Sequence, residues 1–147
     1  MIKSALKEDA KILAKLAINM WSDATVSELE KGFEELSDSD KAMCFIKYVD
    51  GKAIGFAQCQ LRTDYVEGTD SSPVGYLEGI FVEKEYRKCG YAKELLTECE
   101  NWAKEKQCME FASDCELVNE DSFHFHMALG FEEANRIICF KKDIKER

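Results

Sequence analysis

Tyr76-Leu77-Glu78-Gly79-Ile80-Phe81-Val82, then Glu83-Lys84-Glu85-Tyr86-Arg87-Lys88-Cys89-Gly90-Tyr91-Ala92, is the stretch on which the fold turns. The β-rich run from Tyr76 to Val82 reads as a strand. Tyr91 to Lys106 reads as an amphipathic helix with Tyr91, Leu95, Cys99 and Trp102 on its apolar face. Between them, Gly90 removes a side chain where the backbone turns into the helix, leaving unpaired N–H groups at the positive end of the dipole. Lys84, Arg87 and Lys88 put positive charge at the same place, so the strand, loop and helix together describe an anion site. In isolation the same residues also describe a plain turn with solvated charges.

Met109 to Ser113 is the next strand, reached through the long helix by a parallel crossover. On the N-terminal side, Ile2 to Ala5 reads as a short strand. A helix from about Lys7 to Met20 places Ile12, Leu13, Leu16 and Met20 on one face. Thr25-Val26-Ser27-Glu28 is a capping box that opens a second helix running to about Leu36. Met43 to Val49 and Ala53 to Leu61 are β-rich runs joined by Asp50-Gly51, a two-residue hairpin signal, and Thr63 to Pro73 is a polar loop. A helix from about Asn119 to Leu129 ends at Gly130, and Ile137 to Lys142 closes as a strand. The fold class is α/β with a mixed central sheet, in one domain over residues 1–147.

Arg87-Lys88-Cys89-Gly90-Tyr91-Ala92 matches a known pattern: Gln or Arg, two variable residues, Gly, one variable residue, then Gly or Ala. It follows a strand ending Gly79-Ile80-Phe81-Val82, and Asn119 with Leu129-Gly130-Phe131 matches a later segment of the same family. On these residues the chain resembles the GNAT acyltransferase superfamily. The stretches Tyr65-Val66-Glu67-Gly68-Thr69, Ser72-Pro73-Val74, Leu77 to Val82 and Glu110-Phe111-Ala112-Ser113-Asp114 are similar to bacterial aminoglycoside 6'-N-acetyltransferases. The resemblance implies the GNAT fold, with a V-shaped cofactor cleft between two parallel strands, one ending near Val82 and the other at Met109 to Ser113. Acetyl-CoA would lie there as co-substrate, its pyrophosphate on the N–H groups of Arg87, Lys88, Cys89, Gly90, Tyr91 and Ala92. Ile80, Phe81 and Val82 would flank it, the Val82 N–H polarising the thioester carbonyl, and Asn119 would bond the pantetheine arm. By the same resemblance Trp21, Tyr65 and Asn135 line the acceptor site, and the protein pairs as a homodimer, for which the apolar run Arg136-Ile137-Ile138-Cys139-Phe140 offers an open edge.

The charge pattern supplies the acceptor side. From Thr63 to Glu83 the acids are Asp64, Glu67, Asp70, Glu78 and Glu83, with no Lys or Arg. From Gln107 to Asn135 they are Glu110, Asp114, Glu116, Glu120, Asp121, Glu132 and Glu133, again with none. A cationic amine would meet negative potential here while CoA meets the basic loop. Glu78, mid-strand, and Asp114, at the end of the neighbouring strand, are the candidates to hold the acceptor's ammonium groups. Glu78, or a water it holds, would take the amine proton. Carboxylates bonded to backbone amides are the structural alternative. His126 stands where many superfamily members carry a tyrosine, four residues before the Gly130-Phe131 pair, and is a candidate acid for the leaving thiolate. Ala24 and Asn135 replace a histidine and an acid of the closer family.

Twenty basic against 29 acidic residues give a net charge of −9, which argues against nucleic acid and anionic lipid as partners. No apolar run reaches the ~20 residues of a membrane span, and Met1-Ile2-Lys3-Ser4 has no apolar region behind it. A cytoplasmic location is expected. Cys44, Cys59, Cys89, Cys99, Cys108, Cys115 and Cys139 contain no C-x-x-C pair and are expected as reduced, packed thiols, while His124 and His126, two apart, argue against a metal site. The leading expectation is acetyl transfer from acetyl-CoA to an aminoglycoside 6'-amine. A polyamine or peptide N-terminus as acceptor, or a non-catalytic CoA-binding module, are the alternatives.

Overall fold

The computed structural model describes residues 1–145, which fall into two compact units, Met1–Asp114 and the segment beginning at Cys115. The first unit contains a sheet of β1 (Ile2–Ser4), β2 (Ala42–Val49), β3 (Lys52–Arg62), β4 (Val74–Val82) and β5 (Phe111–Ala112), in that spatial order. β1 to β4 pair antiparallel and β5 lies parallel to β4. Its helices are α1 (Ala10–Ala17), α2 (Val26–Leu36) and α3 (Tyr91–Glu105), the last forming the crossover that parallel neighbours need. The second unit contains α4 (Glu120–Ala128), capped by Asn119 and followed by Gly130 at φ 91°.

Local chemistry accounts for the boundaries. Thr25 Oγ1 accepts from the Glu28 N–H at 3.1 Å while Glu28 Oε1 accepts from the Thr25 N–H at 2.9 Å, so the capping box starts α2 as its residues require. Asp50 and Gly51 sit at φ 50° and 78°, the left-handed pair that joins β2 to β3 without splaying them. The expected Lys7 to Met20 helix is divided: a 3-10 turn at Lys7–Asp9 precedes α1. The Asn19 amide donates to the carbonyls of Lys15 at 3.3 Å and Leu16 at 3.0 Å, closing the last turn early and leaving Met20 exposed.

Helices cover both faces of the sheet. Leu13, Leu16, Ala17 and Phe33 pack with Cys44, Ile46 and Phe56. On the other face, Lys47 of β2 reaches Glu94 of α3, whose Leu95, Leu96, Cys99 and Trp102 are buried. A Cβ added at Gly75 would stand 2.7 Å from Ala103 of α3, whereas one added at Gly79 would stand 2.8 Å from Trp21, in the α1 and α2 layer. Residues four apart in a regular strand share a face. The two glycines face opposite layers because β4 carries one extra residue: Cys59 pairs with Leu77 and Gln58 with Gly79, leaving Glu78 as a β-bulge.

Three further sequence expectations differ from the structure. Met109 to Ser113 pairs only at Phe111–Ala112, because β4 offers just Gly75 and Tyr76 as partners and Met109 is turned outward. Ile137 to Lys142 forms no strand; its unit has no second strand among the described residues, and a β-rich run without a neighbour gains no ladder bonds. Cys44, Cys59, Cys99 and Cys108 are buried, but Cys89, Cys115 and Cys139 lie on the surface.

Candidate active site

The β4–β5 ladder stops at Tyr76 and Ala112, so the edge of β4 from Leu77 to Val82 has no partner strand on that side among the described residues. Ser113 Oγ donates to the Leu77 carbonyl at 3.4 Å, at the point where the strands separate. The Glu83 N–H donates to Ile54 of β3 at 2.7 Å. Successive peptide groups alternate between strand edges, so the Val82 N–H points to the open edge, as does that of Ile80. Phe81 turns the other way, into the α1 and α2 layer.

Past Val82 come a 3-10 turn at Lys84–Tyr86 and a loop in which Lys88 and Gly90 take φ 63° and 83°. Gly90 precedes α3 and has no side chain to cap it, which leaves the first-turn N–H groups of Tyr91 and Ala92 directed out of the helix. Nothing lies within 4 Å of where a Gly90 Cβ would be. Lys84 and Lys88 are exposed beside this opening. Arg87 turns back instead: its Nε donates to the Val82 carbonyl at 2.8 Å and its guanidinium sits 5.7 Å from the Phe81 ring centre, tying the loop to the end of β4. Cys89 Sγ donates to the Arg87 carbonyl at 3.5 Å. The buried Lys47 ammonium, 2.8 Å from Glu94 and 4.7 Å over the Tyr91 ring, steadies the first turn of α3 from beneath.

Beside the vertex, Glu78 is half-buried and forked by Arg62: Nη2 lies 3.0 Å from Oε2 and 3.2 Å from Oε1, and Nε lies 3.3 Å from Oε2. The Arg62 guanidinium rests 3.6 Å from the Tyr76 ring centre, and the Tyr76 hydroxyl donates to Asp114. Burial, reinforced by that bond to Asp114, pushes the Tyr76 phenol well above its ordinary value. Glu78 and Asp114 are thus brought together, but not as the wholly acidic pair that the charge pattern suggests. Arg62 stands one residue before the acid-only segment and enters it by its side chain. Trp21 meets Phe56 edge-on at 6.2 Å and lies over Gly79, so it serves core packing and flanks the bulge at once.

Tyr65 is 76% exposed, on a loop anchored by the buried Val66 and Thr69. Glu110, expected as a surface acid of the cleft, instead clips this loop: it accepts from the Ser71 hydroxyl and from the Asp70 N–H at 2.9 Å. These bonds, Ser71's foremost, hold its carboxyl below the usual range. In the second unit, Asn119 Oδ1 caps α4 through the Ser122 N–H at 3.0 Å. Asn135 Oδ1 accepts from the Arg136 N–H at 2.8 Å, and Arg136 pairs with Glu133 at 2.7 Å. His126 Nδ1 lies 2.7 Å from the Ser122 carbonyl, which can only accept, so Nδ1 carries a proton; the ring also packs against Phe131 at 5.2 Å.

Arg62, Tyr76 and Lys47 were not legible as site residues. Arg62 and Glu78 are 16 residues apart on neighbouring strands, a pairing that no local spacing rule marks; the one available signal was Arg62 as the last cation before a long acidic run.

The chain is similar to known proteins over most of its length. Aminoglycoside N(6')-acetyltransferase type 1 of Acinetobacter haemolyticus is 38% identical over 143 residues, 97% of this chain and 98% of that protein. The protein of the same name from Salmonella typhimurium is 48% identical over 109 residues, 74% of this chain and 75% of that one. A solved structure of AAC(6')-Iy in complex with the bisubstrate analog CoA-S-monomethyl-acetylneamine is 39% identical, with a TM-score of 0.92 and 97% of each chain covered. Residues 11–131 match the family described as acetyltransferase (GNAT), and the chain belongs to that family.

Proposed function

We propose that this acetyltransferase moves the acetyl group of acetyl-CoA to the 6'-amine of an aminoglycoside by direct attack. The observation that carries the reading is the joint placement of Glu78 and Asp114 at the vertex where β4 and β5 separate. On the same strand, the open edge of β4 leads to a basic, glycine-opened helix start. The relatives named as aminoglycoside N(6')-acetyltransferases and the structure bound to a CoA bisubstrate analog support it.

Acetyl-CoA supplies an acetyl group already activated as a thioester. The first-turn N–H groups of Tyr91 and Ala92, the Arg87–Gly90 backbone and the charges of Lys84 and Lys88 suit its pyrophosphate. The Val82 N–H, on the open edge, donates to the carbonyl and withdraws electrons from the carbon to be attacked. Ile80 and Asn119 offer hydrogen bonds to the pantetheine arm, and Phe81 backs the strand from the core. Glu78 and Asp114 accept hydrogen bonds from ammonium groups of the acceptor. An amine attacks only when neutral, so Glu78, directly or through a water, takes the displaced proton. Trp21 and Tyr65 present flat faces to sugar rings and Asn135 an amide. His126, bonded through Nδ1 to the Ser122 carbonyl, is the candidate acid that protonates the departing thiolate.

The reading carries two further expectations. The exposed Ile137, Ile138 and Phe140 would pair with a second copy, and a cytoplasmic location would suit exposed reduced thiols. Sedimentation at micromolar concentration tests the first. The activity is tested by thiol release from acetyl-CoA with a 6'-amino aminoglycoside, its 6'-hydroxyl counterpart, spermidine and a peptide, with the acetylated position read by mass spectrometry. Release confined to the 6'-amino compound is expected. Release with spermidine or peptide alone moves the acceptor class, and CoA binding without turnover for any amine overturns catalysis.

A further inference from the structure

We propose that Arg62 is a positioning residue for both carboxylates of the acceptor site, holding Glu78 directly and Asp114 through Tyr76. The proposal rests on the reading of Glu78 and Asp114 as the acceptor's anchors. Arg62 ends β3 opposite Val74, and its side chain runs along β4 to reach the bulge. Its fork touches both oxygens of Glu78, at 3.0 and 3.2 Å, which fixes the rotation of the carboxylate plane; a point charge would leave that rotation loose. The face of the guanidinium meets the ring: 3.6 Å from its centre, it holds Tyr76 where the hydroxyl donates to Asp114. Each link is a direct contact, and the four side chains form one relay with a carboxylate at either end.

The relay acts on orientation more than on stability. Arg62 is 38% and Glu78 20% exposed at the side chain, and ion pairs reached by water contribute little to folding. A forked carboxylate still has lone pairs to offer an arriving ammonium group. Holding both anchors before binding removes the cost of ordering them during it.

The test uses Arg62→Gln, Arg62→Lys, Tyr76→Phe, Asp114→Asn and the double variant of the last two. Each is assayed with acetyl-CoA and a 6'-amino aminoglycoside, with CoA affinity by calorimetry and a crystal structure of unliganded Arg62→Gln. Tyr76→Phe is expected to raise the acceptor KM about tenfold, the scale of a lost bond to a charged group, at unchanged CoA affinity. It should add nothing in the Asp114→Asn background, because it acts only through that residue. Arg62→Gln should raise the acceptor KM at least as much, Arg62→Lys should fail to restore it, and the crystal should show Glu78 turned and Tyr76 off Asp114. Additive effects of Tyr76→Phe and Asp114→Asn, a wild-type KM in Arg62→Gln, or unmoved Glu78 and Tyr76 in its crystal each overturn the proposal. A wild type that acetylates no aminoglycoside defeats the functional reading alone, and the crystal of Arg62→Gln still decides what Arg62 holds.

Discussion

At Gly90 a substitution can test cofactor binding apart from folding. The glycine sits at φ 83° with open space around it, so Gly90→Val meets no core atom but forces a β-branched residue into the left-handed region, at about 1–3 kcal/mol. The loop is expected to relax away from its present course, and CoA affinity to fall about tenfold or more, while the circular dichroism spectrum stays that of the wild type. Calorimetry showing full CoA affinity in the folded variant would remove the loop from the cofactor site. Glu78→Gln and Asp114→Asn keep shape and delete charge. Both should raise the acceptor KM and leave CoA binding intact, and Glu78→Gln should also lower kcat by roughly 10²-fold, the scale of general-base help. Wild-type kinetics in both would reduce them to loop and strand acids. Their bonding could not be read from the sequence: Glu78 is polar in an apolar run, but nothing near it says that its partner is an arginine 16 residues earlier.

At the level of elements, what was legible is what local chemistry dictates. The Thr25 and Glu28 box, the Asp50-Gly51 turn and the Gly90 helix start each follow from residues within one turn of each other, and each is found in place. The shortened β5, the unpaired Ile137 to Lys142 and the bulge at Glu78 depend on whether a distant strand is present to pair, which periodicity does not encode. The Glu110 clip belongs with these, and it makes the 63–73 loop sensitive to acid. Because the folded Glu110 carboxyl lies below its ordinary value, the clip is fully present above the ordinary glutamate pKa of about 4.3 and is lost as pH falls through the lower, folded one. Amide exchange at Asp70, followed by NMR, should lose protection over that acid window before the strands melt. In Glu110→Ala, which leaves no acceptor, it should be fast already at neutral pH. Protection independent of both pH and the substitution would show that Val66 and Thr69 alone hold the loop.

For the molecule as a whole, the −9 net charge is unevenly spread: the cations at 84, 87 and 88 stand apart from long acid-only segments. A polycationic acceptor should therefore feel ionic strength strongly. Raising salt from about 0.01 to 0.5 M should increase its KM severalfold and leave that of a monoamine nearly constant, since several ammonium groups are screened together. Equal salt dependence for the two would mean that short-range contacts alone select the acceptor. The extra residue in β4 has a consequence of its own. Gly75 faces α3, Gly79 and Phe81 face the α1 and α2 layer, and Glu78 is the extra residue at which the register shifts. A residue with no partner across the ladder can carry a charge in mid-sheet without displacing a core side chain. The carboxylate owes its address to parity, so any insertion or deletion of odd length between Gly75 and Gly79 would abolish it even with every side chain of the site retained.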